Sequence, residues 1–188
     1  VRMLWEHVDW VQFPAPRHMK FLSKTTWPQV FAGWQEREGS DPAWIKVATE
    51  IKGWPDWESW RRFTAEQIGA ENLSWEIQEF SNPMKEVPLM LIGPYSGWQS
   101  RVTNKNQTTF EELINIDEQF DYWKDIPKIN SIIEDFPDVD MIGLIRDDSG
   151  QIVCIEGHHR ATAVALAAKL GKEVIFKAPL RIALAHIT

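Results

Sequence analysis

The sequence predicts an α+β protein, and three observations carry this prediction. From about residue 86 the apolar patterns run strand, helices, strand, strand, helix and strand, an order typical of α+β domains. Residues 141–145 and 151–155 are two strand patterns around a turn, and the strongly helical residues 161–170 follow them. The length of 188 residues suits one domain with a sizeable extension.

The composition is that of a soluble protein. Hydrophobic residues make up 44% and charged residues 25% of the chain, and no run reaches the roughly 18 apolar residues of a membrane span. The net charge of −7 makes a nucleic-acid partner unexpected, because nucleic-acid-binding proteins usually carry a basic field. The first ten residues lack the apolar centre of a secretory signal. We therefore expect a cytoplasmic protein.

Residues 1–85 form a Trp-rich segment that we expect to be mainly helical and packed on the core. Residues 43–52 form one helical pattern that follows Asp41-Pro42, a typical helix start. A second pattern starts at Pro55-Asp56 and places Arg61 and Arg62 on a solvated face. Residues 1–40 do not distinguish between strand and short helix. The 11 Trp residues predict a Trp-rich core, with an exposed aromatic surface for a ligand or partner as the alternative.

The middle of the chain predicts two strands and two helices. Thr109 and Glu112 have capping-box spacing and predict a helix start. The polar stretch after residue 98 is either mobile surface or a binding lid, and its Arg101, Asn104, Lys105 and Asn106 either form a lip of a pocket or are solvated. The other patterns are strands over 75–80 and 87–92, the second of them central, a helix over 126–135, a last strand over 173–176, and a strand or short helix over 180–187.

A polar cluster separates the second hairpin strand from the helix that follows it, and it contains Glu156, Gly157, His158, His159 and Arg160. The first N–H groups of a helix have no intrahelical partner, and the helix dipole makes that end partly positive. Glycine lets the backbone approach a ligand, and arginine adds a fork of donors. This cluster therefore predicts an anion or phosphate site. An ordinary strand–helix turn with polar caps fits the same spacing.

These residues also resemble the signature of the ParB/sulfiredoxin superfamily over about residues 86–178. The resemblance is carried by the Asp147-Asp148-Ser149-Gly150 turn, an apolar strand, Glu156-Gly157-His158-His159-Arg160-Ala161, and an Ala/Leu-rich helix. It implies a mixed-sheet core over residues 86–188, onto which residues 1–85 pack as an extension. Members of this superfamily hold nucleotide phosphates with the short polar sequence that opens this helix, which corresponds here to residues 156–161 and is called the box below. Several are phosphotransferases or nucleotide hydrolases, and some are described as nuclease-like.

The sequence departs from two branches of that superfamily. Sulfiredoxins carry a catalytic Cys directly before the His-Arg pair, and His158 stands there instead. Cys154 lies four residues earlier in an apolar strand, where we expect a buried, inert thiol. Partition proteins have Glu-Arg-Arg after the Gly of the box, which this sequence lacks. Neither sulfinic-acid reduction nor chromosome partitioning is expected.

The resemblance implies nucleotide-dependent phosphoryl chemistry on a small molecule, with ATP or another nucleotide and Mg²⁺ as cofactors. The chemistry of the residues themselves makes Glu156 and His158 the candidate catalytic residues. The implied phosphate or nucleotide contacts are Gly157, His158, His159 and Arg160. Ala161, through its backbone amide, and Thr162, through its hydroxyl, are further candidates from their place at the helix start. A non-catalytic nucleotide or anion sensor is the second hypothesis, and a ParB-like nucleic-acid-binding or nuclease module is the third.

Each of these residues also has a structural interpretation. Arg160 either contacts phosphate or forms a surface salt bridge with Glu156 or Asp148. Glu156 either holds a metal-bound water, activates a hydroxyl or only pairs with Arg160. His158 lines the site, caps the helix or acts as an acid or base, and His159 either contacts phosphate or bonds a carbonyl. Thr162 either donates to a phosphate or bonds the backbone of its own helix. The two histidines are adjacent in sequence, so no metal site is predicted on them.

Overall fold

A mixed five-stranded sheet forms the centre of the structure, a computed structural model that describes residues 19–146 and 149–187. The strand order is β1-β2-β5-β3-β4, in which β3 and β5 are parallel and the other neighbours antiparallel. The strands are β1 (Lys20–Thr25), β2 (Trp75–Glu79), β3 (Met141–Arg146), β4 (Ile152–Glu156) and β5 (Arg181–Ile187). The predicted hairpin is therefore confirmed as β3 and β4.

Nine α-helices lie within the described residues, and they pack on both faces of the sheet. They are α1 (Trp27–Glu38), α2 (Pro42–Lys46), α3 (Trp57–Gln67), α4 (Pro83–Glu86), α5 (Ser96–Gln99), α6 (Phe110–Asn115), α7 (Asp117–Lys124), α8 (Pro127–Glu134) and α9 (His158–Lys169). A π-helical turn, Val47–Ile51, continues α2, and short 3₁₀ turns occupy Ala70–Asn72 and Val87–Leu89. The mixed α and β character predicted from the sequence is confirmed.

The two faces of the sheet belong to two hydrophobic clusters. Ile182 and Leu184 of β5 pack with α6 to α9, whereas Ala183 and Ala185 pack with the Trp-rich helices. The alternation arises because successive side chains of a strand point to opposite faces. Apolar residues on both faces explain why β5 lies in the middle of the sheet, which resolves the ambiguity over residues 180–187. Most Trp side chains of the described N-terminal region are buried, including Trp27, Trp34, Trp57 and Trp75.

Several predicted helix starts are confirmed. Thr109 and Glu112 form the predicted capping box at the start of α6. The Asp56 side chain accepts a hydrogen bond from the Ser59 N–H at the start of α3, and the Asp41 side chain caps α2 in the same way. The helix over 126–135 is α8. These starts were predictable because caps are local interactions between residues two or three positions apart.

The predicted central strand over residues 87–92 is wrong. Pro83 starts α4, the chain continues into the 3₁₀ turn that contains Pro88, and only Leu91 forms isolated bridges, to Thr109 and Val153. Proline has no N–H and cannot donate to a strand ladder. The apolar run is buried as expected, with Val87 and Leu91 at 0% and 1% exposure. The continuous run of apolar residues therefore predicted correctly that this segment is buried, but it predicted incorrectly that the segment is a strand.

Other elements also differ from expectation. The segment over 173–176 contributes only one bridge, Phe176 with Phe136, and Ile175 is exposed. The sequence patterns predicted neither β1, nor α1, nor α7. Arg61, expected on a solvated face of its helix, is buried. The patterns at residues 3–11 lie outside the described residues.

The sheet continues across the expected boundary at residues 85 and 86. Strand β2 pairs with β5 over five residues, from Trp75 with Ala185 to Glu79 with Arg181. The Trp-rich segment therefore shares a sheet with the second half of the chain. Among the described residues, no helix combines the length and the apolarity needed to cross a membrane.

Candidate functional site

The polar cluster predicted from the sequence lies where β4 ends and α9 begins. Gly157 is the N-cap residue of α9, with φ at +108°. A Cβ at this position would lie 2.7 Å from Met141 Cε and 3.3 Å from an Arg160 nitrogen. Both the backbone angle and the close approach require glycine. The turn therefore leads β4 directly into α9.

The start of α9 has no side-chain cap. The first backbone hydrogen bond of this helix runs from the Ala161 N–H to the Gly157 carbonyl at 2.8 Å. The N–H groups of His158, His159 and Arg160 precede that bond, so they have no intrahelical acceptor. Three donors at the positive end of a 12-residue helix dipole can bind an oxyanion. The amide of Ala161 is already used within the helix.

The His158 side chain is buried and hydrogen bonded. Its Nε2 accepts a 3.0 Å hydrogen bond from the Gly93 N–H, and its Nδ1 lies 3.6 Å from Cys154 Sγ. Burial, with smaller contributions from charge on His159 and Arg61, lowers the pKa of His158 from 6.5 to about 3. The ring is therefore neutral near pH 7, and its accepting nitrogen is occupied by the backbone.

The His159 side chain is only partly buried and lies against the rings of Trp98 and Trp123, with centroid distances of 5.3 and 6.2 Å. Burial is the main cause that lowers the pKa of His159 from 6.5 to about 4, and the Lys128 charge lowers it further. His159 is therefore also neutral near pH 7. A neutral imidazole at this position contributes a hydrogen bond to a ligand rather than a charge.

Arg160 and Glu156 form a partly buried ion pair. The Arg160 Nη1 donates to the Val139 carbonyl at 2.6 Å, and Nη2 donates to Glu156 Oε2. Glu156 Oε2 also lies 3.4 Å from Nη2 of Arg37, which comes from α1. The Arg160 guanidinium thus fastens the box to the segment before β3, and Glu156 links the box to the Trp-rich segment. Glu156 and Arg160 both remain at the junction of β4 and α9, but the negative charge of one largely compensates the positive charge of the other.

Thr162 is fully buried and its Oγ1 donates to the His158 carbonyl at 2.8 Å. This is the bond of a threonine to the preceding turn of its own helix. Ala161 is likewise fully buried. The structure therefore brings together Glu156, Gly157 and the first three residues of α9 at one surface, with Ala161 and Thr162 behind them.

A cavity of about 900 Å³ opens in front of this surface. One wall is formed by Glu156, Gly157 and the first three residues of α9. The rest of the lining comes mainly from the Trp-rich segment, here called the aromatic wall, and from the loop before α5 together with α5 itself. Among the described residues, seven aromatic side chains line the cavity: Trp34, Trp44, Trp54, Trp60, Phe63, Tyr95 and Trp98. The volume lies within the range of small-molecule sites, which are mostly apolar with a few convergent polar groups.

Arg61 lies on the aromatic wall with its guanidinium among four indole rings. Its Cζ is 3.9 Å from the ring centroid of Trp60 and 4.6 Å from that of Trp34, and the Trp44 and Trp57 rings are within 6 Å. Glu38 Oε2 accepts from Arg61 Nη2 at 2.8 Å and from Trp57 Nε1 at 3.0 Å. The aromatic rings and this carboxylate together compensate a charge that is only 5% exposed.

Two nitrogens on the same wall are buried without a hydrogen-bond partner among the described residues. They are Trp34 Nε1 and Arg61 Nε. An unpaired buried donor costs about 1–3 kcal/mol. Sequence reasoning missed this part of the site, because Arg61 and Arg62 stand side by side and only the tertiary packing distinguishes them. The high number of Trp residues indicated an aromatic core or surface, but it did not show which rings line a cavity.

The lysines at the cavity add positive charge to a protein whose net charge is −7. Lys52 and Lys128 line the cavity, and Lys128 Nζ lies 5.5 Å from the Trp44 ring centroid. The carboxylates on the lining, Glu38 and Glu156, are both ion paired with arginine. The cavity is therefore more favourable for an anion than the protein surface as a whole.

Arg101 lies outside the lining of this cavity. Its guanidinium lies over the rings of Tyr122 and Trp123, at 4.3 and 4.8 Å. Within the described residues, no group of three or more His, Cys, Asp or Glu side chains is arranged to hold a metal ion.

Comparison with known proteins gives no relative for this chain. No family model, no curated protein and no solved structure matches it.

Proposed function

We propose that this protein binds a nucleotide in the cavity between the Trp-rich segment and α9. The phosphates lie at the start of α9, on the N–H groups of His158, His159 and Arg160. The base lies against the aromatic wall. The observation that carries this proposal is that an uncapped helix start and a set of aromatic side chains line the same cavity.

Each part of a nucleotide has a counterpart on the lining. Phosphate oxygens accept from the free amides and interact with the helix dipole. Lys128, which lines the cavity and whose charge acts on His159, supplies positive charge near the phosphates. A flat base stacks on indole rings such as Trp44 and Trp60, a contact worth about 1–3 kcal/mol per base. The resemblance of residues 156–161 to a nucleotide-phosphate box supports the same ligand.

The side chains at the box favour binding without phosphoryl transfer. His158 accepts a backbone hydrogen bond and stays neutral to about pH 3, so it does not exchange a proton near neutral pH. Glu156 accepts from Arg160 and Arg37 and is not free to act as a base. Among the functions that the sequence left open, a non-catalytic nucleotide sensor therefore fits this geometry best.

A protein-held Mg²⁺ does not fit the residues present. Nucleotide-bound Mg²⁺ is usually held by one or two carboxylates together with phosphate oxygens. The carboxylate at the box is Glu156, and two arginines contact its Oε2. A divalent cation there would meet those positive charges at close range. The proposal therefore contains no metal-dependent step.

Titration calorimetry with ATP, GTP, CTP and UTP, each with and without Mg²⁺, tests the proposal. We expect at least one to bind and to raise the free energy of unfolding by about 2.7 kcal/mol at a hundred times its Kd. Lys128→Glu should weaken that binding about tenfold, or by about 1.4 kcal/mol. Lys172→Glu is the matched control, because Lys172 is exposed and follows the far end of α9. Absence of binding, or equal affinity in both variants, would contradict the proposal.

A further inference from the structure

The aromatic wall contains a pair of rings that the two hydrophobic clusters do not use. The ring centroids of Trp54 and Phe63 lie 5.0 Å apart, with an angle of 37° between the ring planes. Both side chains line the cavity and are partly exposed. Among the described residues, neither belongs to a hydrophobic cluster of the fold. Core packing therefore does not account for this pair, and its exposed apolar surface is available to a ligand.

These two rings continue the surface formed by Trp44 and Trp60. The ring centroids of Trp44 and Trp60 lie 6.3 Å apart, and both rings line the same cavity. Phe63 follows Trp60 by three residues on α3, so their side chains are neighbours on one face of that helix. The backbone of Trp54 is held in place, because its N–H donates to the Ala48 carbonyl at 2.9 Å. The four rings therefore form one aromatic surface on the wall.

The polar side chains of the wall give little opportunity to recognise a base through hydrogen bonds. Glu38 and Arg61 form an ion pair at 2.8 Å. The Thr64 hydroxyl donates to the Trp60 carbonyl at 3.2 Å. Lys52 is exposed and can donate to any base, because every base carries acceptor atoms. Stacking area, rather than hydrogen bonding, therefore decides which bases this wall favours.

We propose that this four-ring surface binds the base and selects purine nucleotides over pyrimidine nucleotides. The inference rests on the proposed nucleotide-binding function and adds the class of base. Every base has a flat face that stacks on aromatic rings, and stacking becomes more favourable as more apolar area is buried. A purine has two fused rings and a pyrimidine has one, so a purine covers more of the surface. Adenine and guanine share this frame, and both belong to the preferred class.

Titration calorimetry of the parent protein with ATP, GTP, CTP, UTP and inorganic triphosphate measures the preference. We expect ATP and GTP to bind at least about fivefold more tightly than CTP and UTP, a difference of about 1 kcal/mol. Inorganic triphosphate carries the phosphates without a base. Its affinity therefore reports on the phosphate site at the start of α9 alone.

Three variants show whether the rings cause the preference. Trp54→Leu and Phe63→Leu each remove one ring and keep an apolar side chain. Phe120→Leu is the matched control, because Phe120 is also partly exposed but does not line the cavity. Its ring centroid lies 4.5 Å from Nζ of Lys169, the last residue of α9. All variants are first checked for a cooperative thermal transition, and if either Trp54→Leu or Phe63→Leu does not fold, the other variant carries the test.

We expect at least one of Trp54→Leu and Phe63→Leu to reduce the purine preference to about twofold or less, and Phe120→Leu to leave it unchanged. The affinity for inorganic triphosphate should stay within about twofold in all three variants. Equal or tighter binding of CTP and UTP by the parent would overturn the inference and leave the nucleotide-binding function standing. The same holds if both variants keep the full preference, or if they lose triphosphate affinity to the same extent. No binding of any of the four nucleotides would overturn both.

Discussion

The Gly93 N–H donates to His158 Nε2 at 3.0 Å, and this bond fixes the tautomer of the buried ring. Because Nε2 accepts, the neutral imidazole carries its proton on Nδ1, which faces Cys154 Sγ at 3.6 Å. Sγ in turn lies 3.4 Å from the Glu156 carbonyl. These contacts join the loop before α5 to the end of β4 and the first turn of α9. His158 therefore holds the box in position rather than reacting within it.

The Gly93→Ala variant tests that junction. A Cβ at Gly93 would lie 2.0 Å from the Cys154 carbonyl oxygen and 2.8 Å from His158 Nε2, so the backbone must move. We expect the free energy of unfolding to fall by about 3 kcal/mol, the scale of overpacking plus a lost buried hydrogen bond. The matched control is Gly97→Ala, because a Cβ at Gly97 meets nothing within 4 Å. Urea unfolding curves measure the free energy of unfolding of the parent and of both variants. A Gly93→Ala variant as stable as the parent would contradict a rigid junction at this position.

The buried histidines predict that the protein loses stability in mild acid. The folded-state pKa of His158 is about 3, below the unfolded value near 6.5. Between these values the unfolded chain binds a proton that the folded protein does not. The stability that the neutral His158 contributes is therefore fully present above about pH 6.5. As the pH falls toward 3, the free energy of unfolding decreases by up to about 1.4 kcal/mol per pH unit. His159, with a pKa of about 4, acts in the same direction.

Urea unfolding at pH 7 and pH 5 measures this effect in the parent and in His158→Gln. Glutamine can accept from the Gly93 N–H but does not titrate. The parent should lose more stability than the variant between the two pH values, by about 1–2 kcal/mol. Equal losses in both proteins would show that His158 is not held neutral by the fold.

The fold and the site differ in how far the sequence predicted them. The β3–β4 hairpin, the Thr109 cap and the helix after Gly157 depend on neighbouring residues, and these predictions are confirmed. The position of the polar cluster over residues 156–160, between β4 and α9, was predictable for the same reason. The partners of the box were not found, because Arg37 of α1 and Gly93 lie 119 and 65 residues away from Glu156 and His158. Pairings over such separations leave no periodic signal in one sequence.

Burial of charge was the least predictable feature. Arg61 and Arg62 are adjacent on one helix, and both were assigned to its solvated face. The structure buries Arg61 against Glu38 and leaves Arg62 exposed. The carboxylate and the indole rings that make this burial possible come largely from other elements. Local amphipathicity does not contain that information.

The Glu38→Gln variant tests the buried pair. Glutamine leaves the Arg61 charge without a counter-ion in a site that is 5% exposed, which should cost about 3 kcal/mol or more. The exposed Lys46–Glu50 pair, at 3.8 Å, provides the control variant Glu50→Gln, expected to cost under about 0.5 kcal/mol. Chemical denaturation measures both. A Glu38→Gln variant as stable as the control would mean that the indole rings alone compensate Arg61.

Cys154 should react slowly with thiol reagents. The side chain is fully buried in β4, and burial raises the pKa of the Cys154 thiol well above its usual range. We expect labelling by a maleimide to require unfolding, and Cys154→Ala to keep nucleotide affinity within about twofold. Mass spectrometry of the native and urea-unfolded protein measures the labelling. Rapid labelling of the native protein, with loss of binding, would favour a redox role instead.

Backbone amide chemical shifts during a nucleotide titration test the central claim most directly. The ligand is whichever of ATP, GTP, CTP and UTP has the highest affinity, added to ¹⁵N-labelled protein. The amide resonances of His158, His159 and Arg160 should shift in a saturable manner, with the same Kd as calorimetry, while that of Lys172 stays in place. Saturable binding that leaves those three amides unshifted would show that the phosphates lie elsewhere.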